Sequence, residues 1–475
     1  MLPVFEKTIR YIGERFAYAG GAFAVYKDGK IIMHEVFGTA DMDTGRPVTE
    51  NSVFDIASDS KSMTTNVVSQ LCDEGLLDWD APVQKYYPEF HWGDDEYISA
   101  HMTLKDLACH RSGVCSNNFI RRTPASAYPT RKDFVEKVAM NLTMAAPFRD
   151  KFMYCNETYA TMGYICELVT GKSWEDLVLE RIAQPLGMDI AFRGCGDRDL
   201  PDIAMPHYNE GDVVNRTNHN QFWLNNPCGG ARTNLLGFEK YMTMWASGGL
   251  LPDGTRMISE AMYKKMTTPI TYWSHPAKPD ACRCYGLGLA PSVYRGEKMV
   301  YHGGSINGFR SAMGFFPGKN CGWCVMINSD TQPLAVLKWL LADVCLGVLQ
   351  DDYTELADRF MSTYRVPSKL ADKLAPVAEI SAEDKAKFYG TYYNKAYGEI
   401  TFADGGDNAV QIQYFTADRP IRFRGVMTET GEYLFQDHIS QFGNFITDLR
   451  FAPDGKTAKF SVCDFYTPTP FVKVK

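Results

Sequence analysis

The spacing of apolar residues changes twice along this chain, and few architectures accommodate the order that results. Leu2, Phe5, Ile9, Ile12 and Phe16 recur at steps of three and four, which places them on one face of a helix. Ala22 to Tyr26 and Lys30 to Phe37 then read as two strands joined by a Lys27-Asp28-Gly29 turn. Helical spacing dominates from about Leu76 to Met266, with Thr103 to Cys109, Asn156 to Thr170 and Trp174 to Gln184 the clearest helices. Strand spacing returns at Lys298 to His302, Ser311 to Phe316 and Trp323 to Asn328, and an apolar helix follows from Leu334 to Leu349. A sheet built from both ends of this segment, with helices on its faces and a helical insert at 76–266, accounts for the order. The expected class is α/β in the broad sense (α+β): an antiparallel sheet flanked by helices.

A different pattern begins past the middle of the chain's second half. Between Tyr364 and Lys387 the composition shifts to Pro, Ala, Lys and Glu, as in a linker. Seven short alternating segments follow: Glu399 to Phe402, Val410 to Phe415, Ile421 to Val426, Tyr433 to Gln436, Phe445 to Phe451, Ala458 to Cys463 and Phe471 to Val474. Such spacing predicts a small all-β barrel or sandwich. A chain of 475 residues exceeds one ordinary core, and the expected division is 1–363, a linker at 364–387, and 388–475.

A net charge of -8 leaves no cationic excess to neutralise phosphates, so no nucleic-acid partner is expected. Glu6, Lys7, Arg10, Glu14 and Arg15 interrupt any apolar core that a signal peptide would need, and no apolar run approaches the length of a membrane span. The reading is a cytoplasmic protein with no membrane partner. The 13 cysteines are scattered, as reduced thiols serving as small hydrophobes would be. Cys321 and Cys324 have CxxC spacing but begin a strand and lack a second pair, and Cys282 and Cys284 have no His-rich segment nearby. Neither a metal nor another cofactor is called for.

The chemistry centres on Ser58-Asp59-Ser60-Lys61, which follows the apolar run Val53 to Ala57 and opens a helical pattern closed by Gly75. Residues i and i+3 share a helix face, so the Lys61 amine can reach the Ser58 hydroxyl. The positive end of the helix dipole and burial both disfavour an ammonium there, pushing Lys61 towards a form that accepts a proton. The Ser58 N–H, at the same helix end, can help bind an oxyanion. An N-capping serine followed by a solvated lysine shares this spelling, so the motif needs its surroundings.

Those surroundings are Thr103-Leu104-Lys105-Asp106-Leu107 with His110-Arg111-Ser112-Gly113, then Tyr154-Cys155-Asn156, Pro185-Leu186-Gly187-Met188, Gly229-Gly230, Tyr285-Gly286-Leu287-Gly288 and His302-Gly303-Gly304. In this order the chain resembles the serine β-lactamase and penicillin-binding protein superfamily over most of residues 20–350, in particular its class C-like, D-aminopeptidase-like and esterase members. The resemblance implies a β-lactamase-like catalytic domain followed by a lipocalin-like barrel. It implies that Ser58 forms an acyl-enzyme, that Lys61 and Tyr154 share proton transfer, and that the N–H groups of Ser58 and of Ser305, after Gly304, form the oxyanion hole. Asn156 would bind substrate or hold Lys61, and His302 would line the pocket and orient substrate. His110 falls in a segment that is structural in the family.

One departure bears on substrate. Where the family commonly has K-T-G, with a lysine that pairs with the carboxylate of penicillin-like substrates, this chain has His302, a less dependable cation at neutral pH. Hydrolysis of a small ester, amide or D-amino-acid-containing peptide is therefore expected. The alternatives are a β-lactamase or DD-peptidase, and a non-catalytic binding protein that keeps the fold. A Ser-His-Asp triad is the rival chemistry, but no serine here stands in G-x-S-x-G. The loops around Cys115 to Tyr128 and Tyr208 to Asn226 are expected to choose the substrate, and the oligomeric state stays open.

Overall fold

The computed structural model describes residues 1–114, 116, 128–195, 200–210, 213–219, 222–273, 280–329, 333–363, 374–414, 417–425, 427–439, 445–461 and 469–475. Helix α1 (Pro3–Gly13) buries Phe5, Ile9 and Ile12, the middle of the predicted stripe. It leads into a seven-stranded antiparallel sheet: β1 (Gly20–Lys27), β2 (Lys30–Asp41), β3 (Arg46–Pro47), β4 (Ala290–Tyr294), β5 (Glu297–Ile306), β6 (Phe309–Phe316) and β7 (Cys321–Ile327). Their spatial order is β4-β5-β6-β7-β1-β2-β3, so the two ends of the segment meet where β1 pairs with β7, Gly21 opposite Ile327 and Lys27 opposite Cys321. Strand β4 is absent from the sequence reading. Its Pro291 cannot donate a ladder hydrogen bond, which is tolerated because β4 is an edge strand.

Alternation along the strands feeds two cores. Phe23 and Val25 of β1 join Trp323 and Val325 of β7 against α1 and the apolar helix Pro333–Leu346. Ala22 and Ala24 join Cys324 and Met326 on the opposite face, with the helices of the insert, where Trp79, Trp174 and Trp245 are fully buried. Cys321 and Cys324 thereby face opposite sides of the sheet and cannot pair with each other. Helix α2 (Ser60–Asp73) precedes the insert, and helix α3 (Glu157–Thr170) lies within it. The predicted helix from Trp174 to Gln184 forms and runs on without a gap: α-helical Trp174–Val178 passes into a π-helical turn, Leu179–Ala183, and back into α-helical Gln184–Leu186. Pro185, just past the π-helical turn, has no N–H to donate and its ring crowds the carbonyl four residues back, which favours the wider turn.

The C-terminal segment forms a closed eight-stranded barrel from Gly390–Asn394 to Thr469–Lys473. The first strand is the one the sequence pattern misses, because Gly390 and Asn394 leave only three residues of strand character between them. Aromatic rings fill its interior. Phe451 lies 4.5 Å from Phe388, 5.0 Å from Phe402 and 5.6 Å from Phe435, centroid to centroid. The barrel's strands pair in chain order all the way round, and these rings pack together in the buried cluster it encloses. Lys395, between the first two barrel strands, meets Asp94 of the insert at 2.7 Å.

Candidate active site

The turn that carries Ser58 is held from three sides. The short strand Phe54–Asp55 pairs with Ala231–Thr233, and the Ile56 N–H donates to the Ala231 carbonyl. Burial alone would raise the Asp55 carboxyl, but Arg232 at 3.0 Å and Arg193 at 3.7 Å hold it well below the usual carboxylate range. Ala57 then takes φ 45°, a left-handed conformation that strains any residue with a Cβ. Ser58 lies in a 3-10 turn, Ala57–Asp59, and the α-helix begins only at Ser60. This differs from the helix start expected at Ser58, and it serves the chemistry, since side chains three apart eclipse in a 3-10 turn. From Ser52 to Ser69 every residue is buried except Ser58.

Two donors converge on that hydroxyl. Lys61 Nζ donates to Ser58 Oγ at 3.1 Å and the Tyr154 hydroxyl donates to it at 3.0 Å. The other Lys61 hydrogens go to Asn156 Oδ1 at 2.8 Å and the Cys228 carbonyl at 2.7 Å. Burial lowers the Lys61 pKa to about 8, against the opposing pull of Cys228 and Glu157. A lysine of that kind exchanges its proton near neutrality. Its Nζ also lies 4.8 Å from the centre of the Tyr154 ring and 5.2 Å from that of Tyr159. Asn156 stands at the N-terminus of α3 yet makes no capping bond, because its side-chain oxygen is turned to the lysine.

His110 supports Tyr154. Its Nδ1 accepts the Cys155 N–H at 3.1 Å, so Nε2 carries the proton, and its ring lies 4.3 Å from that of Tyr154. Burial keeps it neutral.

Strand β5 closes the other side. A β-carbon at position 304 would overlap the Ile56 carbonyl and the Ser311 hydroxyl and meet Ala57 Cβ at 3.0 Å. Only glycine lets β5 lie against the nucleophile turn, and Ser305, half-buried, follows it. His302 is 5% exposed, with Nε2 on the Tyr285 hydroxyl at 2.7 Å and Nδ1 on the Gly303 carbonyl at 3.0 Å. Burial first, and Lys61 second, lower its pKa to about 3, so the ring is neutral and both nitrogens serve the protein. The sequence reading gave no role to the Cys228 carbonyl or Ser311, nor to Tyr285 and Asp59, which it named only within motifs. A backbone carbonyl leaves no side-chain signature, but Gly229 and Gly230 beside it do: a β-carbon at 229 would sit 3.3 Å from the Ala57 carbonyl carbon. Of the two expected specificity loops, residues 115, 117–127, 211–212 and 220–221 lie outside the described residues.

A D-aminopeptidase of Cereibacter sphaeroides is 25% identical over 72% of this chain, and the match spans 63% of that enzyme's length, so the chain covers less than two thirds of it. Penicillin-binding protein 4 of Amycolatopsis lactamdurans is 27% identical, over 78% of this chain and 92% of its own. The octameric penicillin-binding protein homologue from Pyrococcus abyssi aligns over 99% of both chains with a TM-score of 0.64 at 21% identity, a likeness of fold. The family model for beta-lactamase matches residues 5–346, the span that holds the sheet, the insert and every residue around Ser58, and the chain belongs to that family.

Proposed function

We propose that this chain is a serine hydrolase that cleaves a small ester, amide or D-amino-acid-containing peptide through an acyl-enzyme on Ser58. The observation that carries this reading is one accessible hydroxyl in a buried stretch, with an amine and a phenol both within hydrogen-bonding distance of it. With Lys61 charged, both neighbours donate to Ser58 Oγ and its own hydrogen has no acceptor between them. Once Lys61 or Tyr154 has lost a proton, it takes the Ser58 hydrogen as Oγ attacks the carbonyl carbon. The oxyanion falls to the N–H groups of Ser58 and Ser305, and the same proton pair supplies the leaving group and then draws a proton from the deacylating water. Asn156 and the Cys228 carbonyl hold Lys61 through both steps.

The neutral His302 offers a substrate carboxylate no charge, which supports ester or amide hydrolysis over β-lactam or DD-peptide cleavage. The D-aminopeptidase relatives support the same substrate class. Among the described residues no helix is long and apolar enough to cross a membrane. The reading of the cysteines as reduced thiols supports a cytoplasmic setting.

Intact-protein mass spectrometry after exposure to a serine-directed fluorophosphonate tests the nucleophile. One adduct is expected on the wild type and none on Ser58→Ala, and an adduct that persists in the variant would overturn the assignment. Nitrocefin, p-nitrophenyl esters and D-aminoacyl anilides then separate the substrate classes.

A further inference from the structure

Asp59, next to the nucleophile in the chain, is fully buried and forms no ion pair with lysine or arginine among the described residues. One oxygen, Oδ2, lies 2.5 Å from Ser311 Oγ. The other, Oδ1, has no hydrogen-bond partner, and His302 Nδ1, already on the Gly303 carbonyl, stands 3.9 Å away. Ser311 Oγ is also 2.7 Å from the Ile56 carbonyl, which takes the Asp59 N–H at 3.1 Å as well. A serine hydroxyl has a single hydrogen. It cannot serve both the Ile56 carbonyl and an ionised Asp59, each of which only accepts. A protonated Asp59 removes the conflict: its hydroxyl donates to Ser311 Oγ, and Ser311 donates onward to Ile56.

We propose that Asp59 works as a neutral carboxylic acid, donating through Ser311 to the Ile56 carbonyl, and thereby positions the strained turn that presents Ser58. Gly304 belongs to this arrangement, since it stands opposite Ser311 in the sheet and its missing side chain makes the room that the Ser311 hydroxyl and the Ile56 carbonyl occupy. Loss of the proton turns the Ser311 hydrogen from Ile56 to Asp59 and places a negative charge beside Lys61. The titratable groups around the carboxyl are Lys61 of α2, His302 of β5, Tyr285, Tyr241 of the helix Leu235–Ala246 and Cys324 of β7. Burial raises Asp59 to about 7, opposed by the Ser311 hydrogen bond and by Lys61. Of the surrounding groups Lys61 is the one positive charge, and its three hydrogens are taken by other partners. Asp59 is a positioning residue, and the proposal rests on Ser58 being the nucleophile.

The test is the acylation rate of full-length protein with a p-nitrophenyl ester across pH 5 to 9, for wild type, Asp59→Asn, Asp59→Ala and Ser311→Ala. The asparagine amide can donate to Ser311 as the acid does. Below about pH 7, where wild type is protonated, Asp59→Asn should keep the rate within about threefold, whereas the two alanine variants should lose about tenfold or more, with the ester KM little changed. Above about pH 7, where wild type loses the proton, Asp59→Asn should match or exceed it. A loss in Asp59→Asn as large as in Asp59→Ala would mean that an ionised carboxylate is required, and would overturn the proposal, as would an innocuous Asp59→Ala.

Thermal unfolding gives a second reading that needs no activity. The unfolded carboxyl ionises near pH 4, well below the folded one, so this group's contribution to stability falls as pH rises from about 4 to about 7 and is flat above. Asparagine has no such loss. The midpoint of Asp59→Asn relative to wild type should therefore be higher at pH 8 than at pH 5 by about 2 °C or more. A constant gap would show a carboxyl ionised throughout and would also overturn the proposal. If Ser58 were not the nucleophile, wild type would itself give no acylation at any pH, while the unfolding comparison would still report on Asp59.

Discussion

Lys61 carries the most information per atom in this site. Three acceptors hold its ammonium, yet burial outweighs them and brings its pKa down to about 8. The free amine grows as pH rises through that value, so the acylation rate of Asp59→Asn, whose donor persists at every pH, should climb through about pH 8 and level off above it in single-turnover ester kinetics. Wild type should climb less, because Asp59 loses its proton from about pH 7. Lys61→Ala should slow acylation by about 10²–10⁴-fold. Lys61→Arg should be as poor, because a guanidinium keeps the charge but cannot give up its proton in this range. A functional arginine variant would move the base role to Tyr154. His302 shows the opposite lesson: the residue type suggests a switchable cation, and the surroundings abolish the charge.

At the scale of elements, the site exists because a strand, a turn and a helix end approach more closely than side chains would allow. Strand β5 comes against the Ile56–Ala57 backbone at Gly304, and the Cys228 segment comes against Ala57 at Gly229, where a β-carbon would stand in the way. Gly304→Ala should force β5 away from the nucleophile turn, costing about 1–3 kcal/mol of stability. Because Ser305 follows on the same strand, fluorophosphonate labelling of Ser58 should drop at least about tenfold even where the protein stays folded, as a misplacement of this order implies. Circular dichroism and labelling on the same sample check both parts. The motif glycines were legible in the sequence as a spelling, and their reason was not, because it lies in chain segments far apart in number.

The whole molecule joins two kinds of order. The sheet closes when β1 finds β7 some three hundred residues later, and the barrel closes within its own segment. We propose that the barrel, with the preceding residues 364–387 as its linker, is a domain separate from 1–363, since its aromatic interior is built from its own residues and the segment just before them. Phe451→Ala would remove the ring at the centre of that cluster and should cost about 3–5 kcal/mol of barrel stability. Calorimetry should show one transition lowered and the transition of the Ser58-bearing domain unmoved. A single transition that shifts as a unit would argue against separate domains.

The sequence by itself determined the alternation of periods, hence the sheet from two ends, the helical insert and the β-rich terminus, because local burial patterns are written in residue spacing. It also determined the S-x-x-K pair, since residues three apart meet on any helical turn. It missed β4, whose Pro291 breaks the strand pattern but suits an edge, and the first barrel strand, bounded by Gly390 and Asn394. Tertiary structure alone decided which groups surround Ser58. The Tyr154 hydroxyl, the Cys228 carbonyl and the Gly304 backbone come from segments that no local rule connects. The charge states of Lys61, His302 and Asp59 were likewise decided there, because desolvation depends on what the rest of the chain packs around a group and not on its neighbours in sequence.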